Sequence, residues 1–192
     1  LALFNWWVFA ACLVTIILFK LDLFLTIGIN NFFILNWLFT ILTLYFFNLF
    51  GKLFLGDNGV YLISIILGYF LINIYTNNSF ISPYFVVLLL WYPAFENLFS
   101  LTRKMIKKTS PMLPDTNHFH QLLYFFLNDK FIKNDTVANS ITANLINIYN
   151  CIIFVISLND ITNTKLQLFL IIINIFVYLT VYANLYKYKV SN

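Results

Sequence analysis

The sequence predicts an all-α fold: a polytopic transmembrane helical bundle of about six spans that is part of a larger bundle. Two features of the composition carry this prediction. Of the 192 residues, 61% are hydrophobic and only 9% are charged, and the mean hydropathy is +0.86. A water-soluble domain carries roughly a quarter charged residues, so we expect this chain in a membrane bilayer, with no nucleic acid as a partner.

Six apolar segments approach the roughly 20 residues that a helix needs to cross a bilayer. They cover approximately residues 1–19, 31–50, 59–75, 81–101, 136–158 and 165–186, of which the third is short and the fifth is unusually polar. The first predicted region, 1–101, holds four spans and a cytoplasmic Gly-Asp-x-Gly loop at 51–58. The second, 102–135, is a cytoplasmic loop with basic residues and histidines. The third, 136–192, holds two spans and a cytoplasmic tail. Because the sequence begins with Leu1, already inside the first apolar run, we expect it to be a piece of a longer chain.

The basic residues predict the orientation. If the spans alternate, nine of the eleven Lys and Arg side chains fall on one side and only Lys20 and Lys165 on the other. The nine are Lys52, Arg103, Lys104, Lys107, Lys108, Lys130, Lys133, Lys187 and Lys189. Basic residues are enriched in cytoplasmic loops of membrane proteins, so the polar clusters of this chain are expected on the cytoplasmic face.

The first candidate site residue is Asp57, which lies between Gly56 and Gly59 at the start of the third span. A carboxylate between two glycines at a helix entrance can approach a phosphate or bind a hard cation. The alternative is that Asp57 only caps the helix, which Asp does well. Spacing alone favours the cap.

Glu96 is the one acid inside an apolar span. Burying a carboxylate there costs about 2–3 kcal/mol or more, so it needs a partner or a wet cavity. Arg103 follows seven residues later, two helical turns along the same face, and the two side chains either pair or flank one site. The alternative is an acid at a helix end that reaches toward cytoplasmic water.

The densest polar cluster begins with Arg103 and Lys104 and ends with His118 and His120, the only two histidines in the sequence. In an extended segment, side chains two residues apart point the same way, so the two imidazoles are expected to share a ligand. The basic run would attract an anion such as phosphate. The alternatives are a juxtamembrane cluster that only meets anionic lipid headgroups and a zinc-binding histidine pair.

The fifth predicted span carries Asn144, Asn147 and Asn150 at every third position. Side-chain amides commonly hold membrane helices together through interhelical hydrogen bonds, and we expect that role here. A polar transport path along this face is the alternative.

Two of these segments resemble, in order and at the expected spacing, signatures of the polyprenyl-phosphate N-acetylhexosamine-1-phosphate transferases. Residues 52–59, Lys-Leu-Phe-Leu-Gly-Asp-Asn-Gly, resemble that family's "VFMGDxGS" motif, and residues 110–120 resemble its "SPFSPDRxHxHH" motif. Three positions depart from the family pattern: Val60 replaces a Ser, Gln121 replaces the final His and Glu96 replaces an Asp. The family's paired-Asp and "DGxDGL" motifs would lie before residue 1, so the resemblance is to the C-terminal part of such an enzyme.

The resemblance implies transfer of a phospho-N-acetylhexosamine from a UDP-sugar to polyprenyl (undecaprenyl) phosphate, with release of UMP. This reaction initiates cell-envelope glycan synthesis at the cytoplasmic face of the bacterial inner membrane. It requires Mg²⁺, with Mn²⁺ as an alternative metal. A homodimer is one assembly that we consider for this chain.

By the same resemblance, Asp57 is a catalytic residue and metal ligand, and His118 and His120 contact the diphosphate or sugar of the donor. The phosphate-binding residues would be Arg103, Lys104 and Asp115, and a pocket would include Glu96, Gly56 and Gly59. The rival functions are a catalytically inactive homologue that binds the lipid carrier and a small membrane transporter subunit.

Overall fold

The computed structural model describes residues 11–12, 14–16, 30–50, 52–53, 56–108, 110 and 116–191. These residues are mainly helical, and no strand occurs among them. The helices are α1 (Asn31–Leu49), α2 (Gly56–Asn77), α3 (Pro83–Leu89), α4 (Trp91–Ile106), α5 (Phe119–Lys130), α6 (Asp135–Ser157) and α7 (Thr164–Ser191). The expected all-α fold is therefore confirmed for this part of the chain.

Three of these helices are long and apolar enough to cross a membrane: Asn58–Asn77 within α2, all of α6 and all of α7. A fourth span results if α3 and α4 are taken together, whereas the apolar stretch Phe32–Asn48 of α1 is shorter. The expected first span, 1–19, lies mostly outside the described residues. The structure thus gives a membrane protein with three or four candidate spans in its described part, rather than a verified count of six.

The outer surface of α7 is apolar, while several of its polar side chains are buried. Phe169, Ile172 and Phe176 are 57–69% exposed, whereas Gln167 and Asn174 are fully buried. Burying a polar side chain is favourable only when it finds hydrogen-bond partners, and Gln167 donates to the carbonyls of Ser157 and Asp160. An apolar exterior around a hydrogen-bonded interior is the arrangement that a lipid environment favours.

The span expected at 81–101 is broken into α3 and α4, which meet at an angle of 74°. The break lies at Leu90, which has φ −110° and ψ 8°. Pro93 follows three residues later. A proline lacks the amide N–H that a continuous helix would need, and its ring clashes with the carbonyl four residues earlier, here that of Leu89. The kink therefore has a local cause in the sequence.

The segment expected as the 102–135 loop is partly helical. Helix α4 continues through Ile106, and Lys108 ends it with a positive φ of 54°. Helix α5 then occupies Phe119–Lys130, so a large part of the expected loop is helical.

The two ends of the bundle gather different chain segments. At one end, Ser82 joins the connection between α6 and α7, because its amide donates to the Ile161 carbonyl at 3.0 Å and its hydroxyl lies 3.2 Å from that of Thr164. At the other end, the C-terminal turns of α4 and α7 meet α5. This second end carries Arg103, Lys107, Lys130 and Lys189, and we call it the basic end.

The asparagines of α6 make the expected interhelical hydrogen bonds at two of the three positions. Asn144 accepts from the Tyr45 hydroxyl of α1 at 2.9 Å, and Asn150 accepts from the Trp91 indole N–H of α4 at 2.8 Å. Asn147 is also buried, but neither of its amide atoms has a hydrogen-bond partner among the described residues. Two of the three amides thus serve helix packing, which leaves little of this face for a transport path.

We predict that Asn150→Leu lowers the free energy of unfolding by about 1–2 kcal/mol, because it leaves the buried indole N–H of Trp91 without an acceptor. The measurement is reversible unfolding in mixed detergent micelles. Asn147→Leu is the matched control: it makes the same substitution one turn away at an equally buried position that has no partner. Asn147→Leu should leave the free energy of unfolding unchanged or raise it. Equal losses in the two variants would contradict a stabilising hydrogen bond between Asn150 and Trp91.

Candidate functional site at the basic end

Glu96 is the centre of the basic end. It lies on the face of α4 that also buries Tyr92 and Ser100, at four-residue spacing, and it is only 4% exposed. Its Oε1 accepts from the amide of Phe119 at 3.0 Å and lies 2.9 Å from Nδ1 of His118. The alternative of an acid reaching into water is therefore wrong, because the carboxylate is enclosed by the protein.

The third partner of Glu96 is on α7. The Tyr178 hydroxyl donates to Oε2 at 2.6 Å. Both carboxylate oxygens are thus engaged, by partners from α7 and from the start of α5. Removing one partner from such a buried charge network destabilises the protein more than removing an exposed contact does, because the remaining charge stays desolvated.

Arg103 flanks the same loop from the next turns of α4. Its Nη1 donates to the Asn117 carbonyl at 2.7 Å and to the Tyr182 hydroxyl. The guanidinium also lies over the Phe99 and Tyr182 rings, 5.7 Å and 5.5 Å from their centroids, a favourable cation–π arrangement. Of the two arrangements expected for Glu96 and Arg103, the structure gives the one in which they flank one site.

Lys189 completes the attachment from the end of α7. Its ammonium donates to the Thr116 carbonyl and to the side-chain oxygen of Asn117, both at 2.9 Å. The short segment 116–119, which leads into α5, is therefore bound by three charged side chains from two helices. We call it the clamped segment.

A row of tyrosines on α7 links these contacts, and the sequence reasoning did not single it out. Tyr178, Tyr182 and Tyr186 recur every four residues, and their rings stack at 6.0 Å and 6.1 Å with interplanar angles of 10–11°. Their hydroxyls contact Glu96, Arg103 and Lys107 in turn. Residues four apart lie on one helix face, so the spacing of the three tyrosines was a signal available in the sequence.

The two histidines lie side by side, but not in an extended strand. His118 precedes α5 with φ −68° and ψ 149°, and His120 lies in the first turn of that helix. Their rings stack at 5.6 Å with an interplanar angle of 17°. The two rings are thus adjacent, although the extended backbone expected for both residues is wrong for His120, which is helical. That they share a ligand stays a prediction.

The environments of the two rings differ. The side chain of His118 is 25% exposed, so it is accessible to a ligand. His120 is largely covered, burial lowers the pKa of its ring to about 4, and its Nδ1 has no hydrogen-bond partner among the described residues. Both residues are partly exposed, and His118 is the one in contact with Glu96.

Gln121 has a structural role that accounts for its presence. Its Oε1 accepts from the backbone amide of His118 at 3.2 Å, which satisfies one of the free donors at the start of a helix. Gln121 is therefore a helix cap in this chain.

The remaining predicted site residues are placed only in part. Gly56 opens α2 with a positive φ of 65°, a conformation that glycine adopts without strain, and Gly59 lies in the first turn. Lys104 follows Arg103 on α4 and is half-buried. Asp115 and the side chain of Asp57 lie outside the described residues.

The described side chains do not assemble a metal site. No three His, Cys, Asp or Glu side chains in that part of the chain converge on one point. Glu96, the acid nearest the histidines, uses both oxygens for protein contacts.

An apolar cavity lies directly beside the site. It has a volume of about 210 Å³ and is lined by side chains of α4 to α7, including Tyr92, Phe119 and Tyr178. Leu145 and Val181, 46% and 38% exposed, also line it. Phe119 and Tyr178 therefore belong both to the cavity wall and to the set of partners of Glu96.

Comparison with known proteins returned no family model, no curated protein and no solved structure that matches this chain. The interpretation of the site therefore rests on its own residues and geometry.

The burial of His120 predicts a pH dependence of stability. An unfolded chain binds the histidine proton near pH 6.5, whereas the folded protein binds it only at about 4. Between these values the unfolded state holds more protons, so stability falls as the pH drops from about 6.5 to about 4.

Across this pH interval, the free energy of unfolding of His120→Phe should fall less than that of wild type. The check is the free energy of unfolding in mixed micelles at several pH values. Identical pH dependence of the two proteins would show that His120 is not buried in its neutral form.

Proposed function

We propose that this chain is part of a phosphoglycosyl transferase that moves a phospho-N-acetylhexosamine from a UDP-sugar to polyprenyl phosphate, with release of UMP. The proposed setting is the bacterial inner membrane, with the basic end at the cytoplasmic face. The reaction would start the synthesis of a cell-envelope glycan.

The observation that carries this proposal is the close placement of an apolar cavity and a histidine-bearing segment that is bound by cationic side chains. Arg103 and Lys189 hold the backbone beside the accessible His118. The cavity shares the walls Phe119 and Tyr178 with this site. A lipid phosphate needs both environments at once, a cationic one for its headgroup and an apolar one for its chain.

In the proposed reaction, the residues at the basic end bind and position charge. His118 contacts the diphosphate or sugar of the donor, and Arg103 with Lys104 offsets phosphate charge. Phosphoryl transfer depends mainly on such positioning and electrostatic stabilisation. Mg²⁺ is the implied cofactor, and Asp57 is its proposed ligand; the metal would further neutralise phosphate charge.

A transporter subunit is the less favoured candidate. It would need polar groups available to a solute across the bilayer, whereas Asn144 and Asn150 are engaged by Tyr45 and Trp91. The charged residues of the described part are instead concentrated at the two ends of the bundle, chiefly at the basic end.

The experiment is UMP release from UDP-N-acetylglucosamine by membranes expressing the full reading frame that contains this chain, with polyprenyl phosphate and Mg²⁺. We expect release that requires both the lipid and the metal. Asp57→Asn and His118→Gln should each reduce the rate on the order of a hundredfold, the scale of losing a group that stabilises charge in a transition state.

Asp160→Asn is the matched acidic control. Asp160 lies in the connection between α6 and α7, where its carboxylate accepts from Thr162 and Asn163, and it should retain wild-type release. If no UDP-sugar supports release in wild-type membranes, the catalytic proposal fails and lipid binding without catalysis becomes the better account.

A further inference from the structure

Glu96 is positioned to control the protonation of His118, which goes beyond holding the helices together. We infer that Glu96 is a positioning residue that keeps a proton on Nδ1 of His118, so that Nε2 is the nitrogen presented to a hydroxyl group of a phosphate-bearing ligand. The ligand class rests on the proposed function, whereas the tautomer of His118 does not.

The hydrogen bonds at Glu96 define which atoms donate. The backbone amide of Phe119 is an obligate donor, and it points at the same Oε1 that lies 2.9 Å from Nδ1 of His118. Tyr178 donates to the other oxygen. An oxygen that already accepts from a backbone N–H acts as an acceptor toward the imidazole as well, so the proton between Glu96 and His118 lies on Nδ1.

Two contacts restrict a ligand's access to the His118 ring. The Nδ1 edge faces a carboxylate that is 4% exposed, and one ring face stacks on His120. Neither of these two contacts involves Nε2, and the side chain as a whole is 25% exposed. When one ring nitrogen of histidine donates to a carboxylate, the other is left as the acceptor of the neutral ring.

The backbone around the ring is held as well. Arg103 and Tyr182 donate to the Asn117 carbonyl, and Lys189 donates to Thr116 and to the Asn117 side chain. His118 thus has a fixed backbone, a fixed ring plane and a fixed proton. A sugar hydroxyl of the donor meets a preorganised acceptor at Nε2. Of the two contacts proposed for His118, this inference selects the sugar, because an ionised diphosphate has no proton to donate.

The direct test is ¹⁵N NMR of the full-length protein in bilayers with labelled histidine, at about pH 8, where an unperturbed imidazole is neutral. Comparison with His118→Gln assigns the two nitrogen signals. In wild type we expect a protonated Nδ1 and a bare Nε2. Glu96→Gln retains an acceptor oxygen and should keep this pattern, whereas Glu96→Leu should release the proton from Nδ1.

Tyr178→Phe is the control for general destabilisation. It removes one hydrogen bond from the same carboxylate but leaves the acceptor of His118 in place, so the tautomer should not change. A bare Nδ1 in wild type would overturn the inference, and so would a protonated Nδ1 that persists in Glu96→Leu.

UMP release supplies the second readout. The rate of UMP release should fall on the order of a hundredfold in Glu96→Leu and less than about tenfold in Glu96→Gln, because only Glu96→Leu removes the acceptor that orients His118. Equal losses in both would count against a role through the tautomer. If the NMR pattern is found but wild type releases no UMP, the inference about Glu96 stands and the proposed function fails.

Discussion

A buried carboxylate with three hydrogen-bond donors is the constraint on which the rest of the site depends. Glu96 takes its donors from the start of α5 and from α7, at positions 22, 23 and 82 residues away in the sequence. An unsatisfied charge in an apolar bundle is costly, so α4, α5 and α7 must meet at this point. The accessible histidine is therefore placed by the same interaction that joins the helices.

The basic end and the tyrosine row extend this constraint along α7. The hydroxyls of Tyr178 and Tyr182 contact Glu96 and Arg103 of α4, and that of Tyr186 contacts Lys107, which follows α4 directly. The contacts are polar on the inside, while the outward faces of these helices remain apolar. Cationic residues can consequently be concentrated at one end of the bundle without disturbing the part that faces lipid.

The helices of the last two spans could be predicted closely from the sequence, because continuous apolar runs bounded by polar turns leave little choice. The expected 136–158 became Asp135–Ser157, and 165–186 became Thr164–Ser191. The added turns of the last helix carry Lys189, which binds the clamped segment. The bend near Pro93 and the partners of Glu96 were not predicted. Pro93 was an available signal for the bend, although not for its angle of 74°. The partners of a buried acid come from segments brought near only by folding. Nothing in the sequence near Gln121 indicated that its side chain caps α5.

Amide hydrogen exchange at Phe119 tests most directly whether Glu96 holds the start of α5. The first amides of a helix have no partner within the helix and normally exchange quickly. Because the Phe119 amide donates to the buried Glu96 carboxylate, the account predicts that it exchanges as slowly as amides in the interior of α5. Exchange at the rate of a free helix-end amide would contradict the central role given to Glu96.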